Sequence, residues 1–190
     1  DEAMAKDWDV IILQQYSNDA VNYGTFNPHL TKLISKIRSL CTNQNVCLGF
    51  NMSWPYADGE LQKYGGYPYG VNRYALISKA TREMVINDGI DFILPTGTAI
   101  ENARGTSLNN DYDLSIDGTH LSEGVAKYVA AGVWYQLIFA RIFGVNILTN
   151  TFTTSLTPEE LATNGAADVT SGNKELCQKC SFFPELPIHL

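Results

Sequence analysis

No run of apolar residues in this 190-residue chain approaches the ~18–20 that a helix needs to span a bilayer. The richest stretch, Val125 to Ile142, is broken by Gly132, Gln136 and Arg141 and reads as a buried amphipathic helix. Basic charge is scarce: 13 Lys and Arg stand against 20 Asp and Glu, a formal net charge of −7. Such a chain lacks the basic field that displaces counterions from nucleic-acid phosphate or docks on anionic lipid. There is no His-Glu-x-x-His, no Gly-rich phosphate loop and no Gly-x-Ser-x-Gly elbow, so no metal site and no cofactor is expected. Gly65-Gly66 before Tyr67 is a turn and not a phosphate cradle. The chain opens on Asp1 without a leader-like apolar run, which reads as a mature, trimmed or truncated product.

Cysteine is sparse as well. Cys41, Cys47, Cys177 and Cys180 permit two disulfides in three connectivities. The Cys-x-x-Cys at 177–180 has neither a second such pair nor a nearby pair of histidines to complete a zinc site. It is also not set in a thioredoxin-like βαβ unit. Structural disulfides or inert thiols are the expectation.

What is present is an ordinary globular composition, 45% hydrophobic and 17% charged, which excludes disorder as the main state. Asp9-Val-Ile-Ile-Leu-Gln14 is continuously apolar and β-branched, the signature of a strand buried on both faces of a parallel sheet. Asn27-Pro28 then reads as a helix start, followed by Leu30, Leu33, Ile34, Ile37 and Leu40 at helical spacing. Val46 to Phe50 is a second strand, and Ser53 to Tyr69 a long aromatic loop. A helix over 71–87, a strand at Phe92-Ile-Leu94 and a helical turn over 98–104 follow. Ser122 to Phe143 is a strong helix, with Ser122 as its cap, and Thr157-Pro-Glu-Glu160 starts another. The tail beyond Cys180 holds two prolines and is expected on the surface. Strand–helix alternation predicts an α/β fold: an open parallel sheet with helices on both faces, a flavodoxin-like three-layer α/β/α arrangement. Ligands in such sheets sit beyond the carboxyl ends of the strands. That rule selects residues 14–18, 51–54 and 96–97, with 117–120 lying just before the last strong helix.

Of three histidines, His29 sits in the first turn of a helix and His189 in the tail. His120 stands apart, in Asp117-Gly-Thr-His-Leu-Ser-Glu-Gly124, after a polar loop and before a buried helix. A catalytic imidazole must take up and return a proton near neutral pH, and needs a carboxylate to hold its tautomer. Asp117, three residues earlier, can do this if the segment makes one helical turn. Spacing alone favours the plainer arrangement, in which Asp117 caps the turn and His120 packs at the helix start.

Asp117-x-x-His120 before the last long helix resembles the final block of the SGNH (GDSL-type) hydrolases. Leu13-Gln-Gln-Tyr-Ser-Asn18 resembles the block that supplies an oxyanion donor, where that superfamily has Gly-x-Asn-Asp. Phe92-Ile-Leu-Pro-Thr-Gly97 resembles the strand before the catalytic loop. The likeness, to a bacterial branch of that superfamily, runs over about residues 7–145. Two departures stand out. Gln15 takes the Gly position and Ser17 the Asn position, and no Gly-Asp-Ser or Gly-Asn-Ser turn exists in the chain.

The resemblance implies residues 1–150 as the carboxyl-terminal two-thirds of an SGNH-type domain, with 151–190 a helix and tail packed on it. The nucleophilic serine would come from an upstream segment or a second chain. It implies a serine esterase acting on a small acyl ester, O-acetyl groups on carbohydrate for instance. His120 and Asp117 would be catalytic, Gln15, Ser17, Asn18 and Trp54 would face the oxyanion or substrate, and the protein would be secreted or periplasmic. Ser17 and Ser53, both just past strand ends, are the alternative nucleophiles within the chain. The competing class is a non-catalytic carbohydrate- or partner-binding domain, which follows if no nucleophile accompanies the chain.

Overall fold

Val10–Leu13 (β1), Cys47–Asn51 (β2) and Phe92–Leu94 (β3) form a parallel sheet in the order β1-β2-β3, with helices around it. The description is a computed structural model and covers residues 1–57 and 72–182. Most of the expected aromatic loop, with Tyr64 and Tyr67, lies outside the described residues, as does the tail with His189. The expected α/β class is therefore present. Each strand is a short, mostly apolar run, and each crossover contains a helix, as parallel neighbours favour. The register pairs Ile11 with Leu48, Leu13 with Phe50, and Phe50 with Ile93, so these side chains share one face.

The described chain divides into two compact units. The first comprises residues 1–53 and 75–94. His29–Leu40 (α1) lays Leu30, Ile34 and Ile37 on the sheet face that carries Leu48 and Phe50. Ala80 and Met84 of Arg73–Asn87 (α2) join the same core. Ile37, Leu48 and Met84 are almost fully buried, each contributing roughly 1.5–3 kcal/mol of burial. The opposite-face residues Asn51, Phe92 and Leu94 are buried too. α1 begins one residue later than the sequence suggests, with Pro28 at the N-cap. Asn27 is drawn instead into a knot around buried Asp88, which accepts from Tyr23 Oη (2.9 Å), Asn27 Nδ2 (2.9 Å) and Thr31 Oγ1 (3.2 Å).

The second unit comprises the described residues 54–57, 72–74 and 95–182. Thr96–Arg104 (α3) and Lys174–Ser181 (α7) both pack on Val125–Trp134 (α4), which buries Val125, Val129, Gly132 and Val133. The expected helix over 122–143 starts three residues late. Gly124 has φ +74°, and Val125 N–H bonds to Ala167 O (2.8 Å), so 122–124 belong to the preceding loop. Ser122 is no cap: its hydroxyl is buried without a hydrogen-bond partner among the described residues. The helix continues through a π-helical stretch, Tyr135–Phe139, into Ala140–Phe143 (α5), and stops at Gly144 in the left-handed region. Pro158–Leu161 (α6) carries the expected capping box, in which Thr157 Oγ1 accepts from Glu160 N and Glu160 Oε2 accepts from Thr157 N. Among the described residues no helix is long and apolar enough to cross a membrane.

Candidate active site

The segment between α3 and α4 folds back on itself. Ser115 and Leu121 form an antiparallel bridge, and Ile116 N–H donates to His120 O at 2.9 Å. At its tip, Asp117 Oδ1 accepts from the backbone N–H groups of Thr119 and His120, both at 2.9 Å, and from Thr119 Oγ1 at 2.8 Å. This is an Asx-type turn and not the single helical turn that the spacing suggests, because Gly118 sits at φ +88°. The outcome for the side chains is the same. Asp117 Oδ2 stands 2.7 Å from His120 Nδ1. The imidazole is 76% exposed, and its Nε2 has no hydrogen-bond partner among the described residues.

The turn also sets the charge of the pair. The His120 backbone N–H leads the hydrogen bonds that hold the Asp117 carboxyl well below the usual carboxylate range, against the opposing effect of desolvation. Asp117 is therefore an anion at any pH where His120 could act. A carboxylate on Nδ1 fixes the tautomer that leaves Nε2 as the proton acceptor, the geometry of a general base.

The loop is braced from behind. Trp54 Nε1 donates to Thr119 O at 2.8 Å, Ala57 N–H to Gly118 O at 2.8 Å, and Gly118 N–H to Ser115 Oγ at 2.6 Å. Asp113 and Leu114, just before the hairpin, lie at φ +51° and +59°. Leu114 is fully buried there, and a bulky residue in this region is a strained one, a feature that clusters at functional sites.

Of the residues singled out from sequence, Asp117, His120 and Trp54 belong to the second unit, and Gln15, Ser17 and Asn18 to the first. Trp54 does not offer its indole N–H to a ligand, since Thr119 O takes it. Tyr56 is buried with the Arg73 guanidinium 4.0 Å from its ring centre. Gln15 turns its amide to Thr25, donating to O (3.3 Å) and Oγ1 (3.2 Å). Asn18 Nδ2 donates to Tyr16 Oη at 2.9 Å, and Ser17 is half-buried. Ser53 is buried, and its hydroxyl has no hydrogen-bond partner among the described residues. All four cysteines are free thiols. Among the described residues no three His, Cys, Asp or Glu side chains gather as a metal site would need.

The sequence reading passed over Arg104. Its side chain is 10% exposed and reaches the carbonyls of Pro55 (3.0 Å), Tyr56 (3.4 Å) and Asp113 (3.1 Å). The signal was available: Thr96, Ile100 and Arg104 are spaced by four, so a charge falls on the buried stripe of α3. A second feature, a groove of about 730 Å³, lies along α4 and the π-helical stretch, with Tyr128, Trp134, Tyr135, Phe139, Phe152 and Leu156 among its walls.

The chain is similar to a solved structure, a DUF4886 family protein from Bacteroides uniformis, with a TM-score of 0.72 and 25% identity over 95% of this chain. The chain spans 63% of the length of that relative. No curated protein matches it. The family described as a domain of unknown function, DUF4886, matches residues 1–171, and the chain belongs to that family.

Proposed function

We propose that this chain carries the acid–base half of a serine esterase of the SGNH type, hydrolysing a small acyl ester. The observation that carries the reading is the Asp117 Oδ2–His120 Nδ1 contact of 2.7 Å with the other imidazole nitrogen facing outward. In this reading a serine from a segment preceding Asp1, or from a second chain, attacks the ester carbonyl while His120 Nε2 takes the hydroxyl proton. The oxyanion collapses, and the imidazolium gives that proton to the departing alcohol. Water, deprotonated by His120, then attacks the acyl-enzyme, and the serine leaves with the proton returned as the carboxylic acid is released. Asp117 orients the ring and stabilises the imidazolium throughout. The carbohydrate side of the substrate rests on the SGNH resemblance.

His120→Ala in protein that includes the upstream segment should abolish hydrolysis of p-nitrophenyl acetate with the circular dichroism spectrum retained. Near-normal turnover would defeat the assignment. A fluorophosphonate should label a serine upstream of Asp1, and a label on Ser17 or Ser53 would relocate the nucleophile.

The aromatic groove along α4 favours a second reading, a partner-binding domain without catalysis. Phe139 and Phe152, exposed at 48% and 63%, line this one groove together and are not scattered singly over the surface. Saturable enhancement of an anilinonaphthalene sulfonate probe, lost in Phe152→Ser, together with no esterase activity in the full-length protein, would support this reading over the first.

A further inference from the structure

We propose that Arg104 is a positioning residue for the Asp117–His120 pair, acting on it from the far side of the 54–57 segment. The inference rests on the acid–base reading of that pair, and it assigns a role to a residue that touches neither member.

Two routes lead from the guanidinium to the turn. In the first, Arg104 Nη1 donates to the carbonyls of Pro55 (3.0 Å) and Tyr56 (3.4 Å). The same short segment points its donors the other way, with Trp54 Nε1 to Thr119 O and Ala57 N–H to Gly118 O, each at 2.8 Å. Gly118 and Thr119 are the two residues between Asp117 and His120, so this segment grips the turn at its tip. In the second route, Arg104 Nε donates to Asp113 O at 3.1 Å. That bond pins the first of two successive residues with positive φ. Ser115, directly after them, places its Oγ 2.6 Å from Gly118 N as acceptor. Both routes converge on the turn that fixes Asp117 against His120.

The chemistry suits arginine. A guanidinium stays charged at every working pH and projects donors in a rigid planar fork, so it can hold carbonyls from separate segments at fixed angles. Lysine offers a single ammonium centre and cannot span the same set. Its carboxylate neighbour is loose: Glu101 Oε2 is 3.6 Å from Nη1 and its side chain is 41% exposed. Among the described residues the backbone carbonyls are therefore the nearer partners of Arg104, and they are the groups whose position matters to the turn.

The test reads the pair directly and needs no substrate. In the wild-type chain the Nδ1–H of His120, bonded to Asp117, should give a far-downfield proton resonance, assigned by its loss in His120→Gln. Arg104→Lys should weaken or abolish that resonance and raise the population of the Nε2–H tautomer, while circular dichroism and the methyl spectrum of the first unit stay native. In catalytically competent protein the same variant should lower kcat by roughly 10²-fold, the cost of a slight misplacement, with KM little changed. A folded Arg104→Lys that keeps the wild-type resonance and tautomer overturns the proposal, whatever the protein hydrolyses. If Arg104→Lys does not fold, Trp54→Phe decides, since it keeps an aromatic, though smaller, side chain and lacks the donor to Thr119 O. Loss of the resonance there upholds the route through residues 54–57, and an unchanged resonance refutes it. Absence of esterase activity with the resonance behaving as described would sink the proposed reaction and leave this inference standing.

Discussion

Gly124 and Ala167 approach so closely that a Cβ on Gly124 would stand 1.9 Å from the Ala167 carbonyl oxygen. The same oxygen accepts the Val125 N–H, so this contact sets where α4 begins and where the Asp117–His120 hairpin ends. Gly124 also sits at φ +74°, where any side chain is strained. Gly124→Ala should therefore push 165–169 away and cost about 3 kcal/mol, a loss of roughly 6–12 °C in Tm. Thermal and urea melts check it. A change within about 0.5 kcal/mol would show that the segment yields freely.

Gly132 and Ser181 pose the same question between two helices. A Cβ on Gly132 would meet Ser181 Oγ at 2.6 Å and Ser181 Cβ at 2.7 Å, and Ser181 Oγ is itself bonded to the carbonyls of Val129 and Cys177. Overpacking should make Gly132→Ala cost about 1–3 kcal/mol. Ser181→Gly removes the obstacle, so the double variant should be more stable than the sum of the singles predicts, by at least about 0.5 kcal/mol. Additivity in chemical denaturation would mean that α4 and α7 separate without resistance.

How much of this was legible beforehand depends on how local the cause is. β1 and β2 are readable because Val10 to Leu13 and Cys47 to Phe50 are apolar without interruption, and α1 because Leu30, Ile34 and Ile37 recur at helical spacing. The capping box at Thr157 and Glu160 is local by nature and appears where the residues place it. The start of α4 is not local. Ser122 and Glu123 are acceptable helix openers, and only the approach of Ala167 from 40-odd residues away, together with the φ of Gly124, moves the start to Val125. The Asp117–His120 contact follows from three-residue spacing in more than one backbone geometry, so the pair was readable and its turn was not. The brace behind it, Arg104 with residues 54–57, joins segments far apart in sequence, and only the stripe 96-100-104 hinted at it.

The cysteines make a chemical prediction. Cys177 and Cys180 are buried in α7, and burial pushes the Cys177 thiol up to about 11, with Cys180 adding to the effect. A neutral buried thiol is a poor nucleophile. Under native conditions at neutral pH, iodoacetamide should leave both unmodified, while partly exposed Cys47 reacts first. In denaturant all four should react. Rapid native alkylation of Cys177, read by peptide mass spectrometry, would contradict the burial of α7 against α4.

Asp117 offers the sharpest pH test. Its carboxyl is ionised in the fold well below the ordinary carboxylate range, chiefly through the His120 backbone N–H, whereas in the unfolded chain it should titrate near ~3.9. The folded state thus binds that proton less readily than the unfolded state. The stabilisation is complete above the unfolded value and is lost only as pH falls through the lower, folded one. The carboxyl carbon resonance of Asp117 should show its midpoint below ~3.9, and the His120 backbone amide should move with it as the turn loosens. Asp117→Asn keeps an acceptor for the turn but removes the charge. It should leave the hairpin folded, abolish the acid-limb transition of the His120 amide and, in catalytically competent protein, lower kcat by up to about 10⁴-fold through the wrong imidazole tautomer. A midpoint at the unfolded value in the wild-type chain, or full activity in Asp117→Asn, would show that the carboxylate neither anchors the turn nor holds the ring.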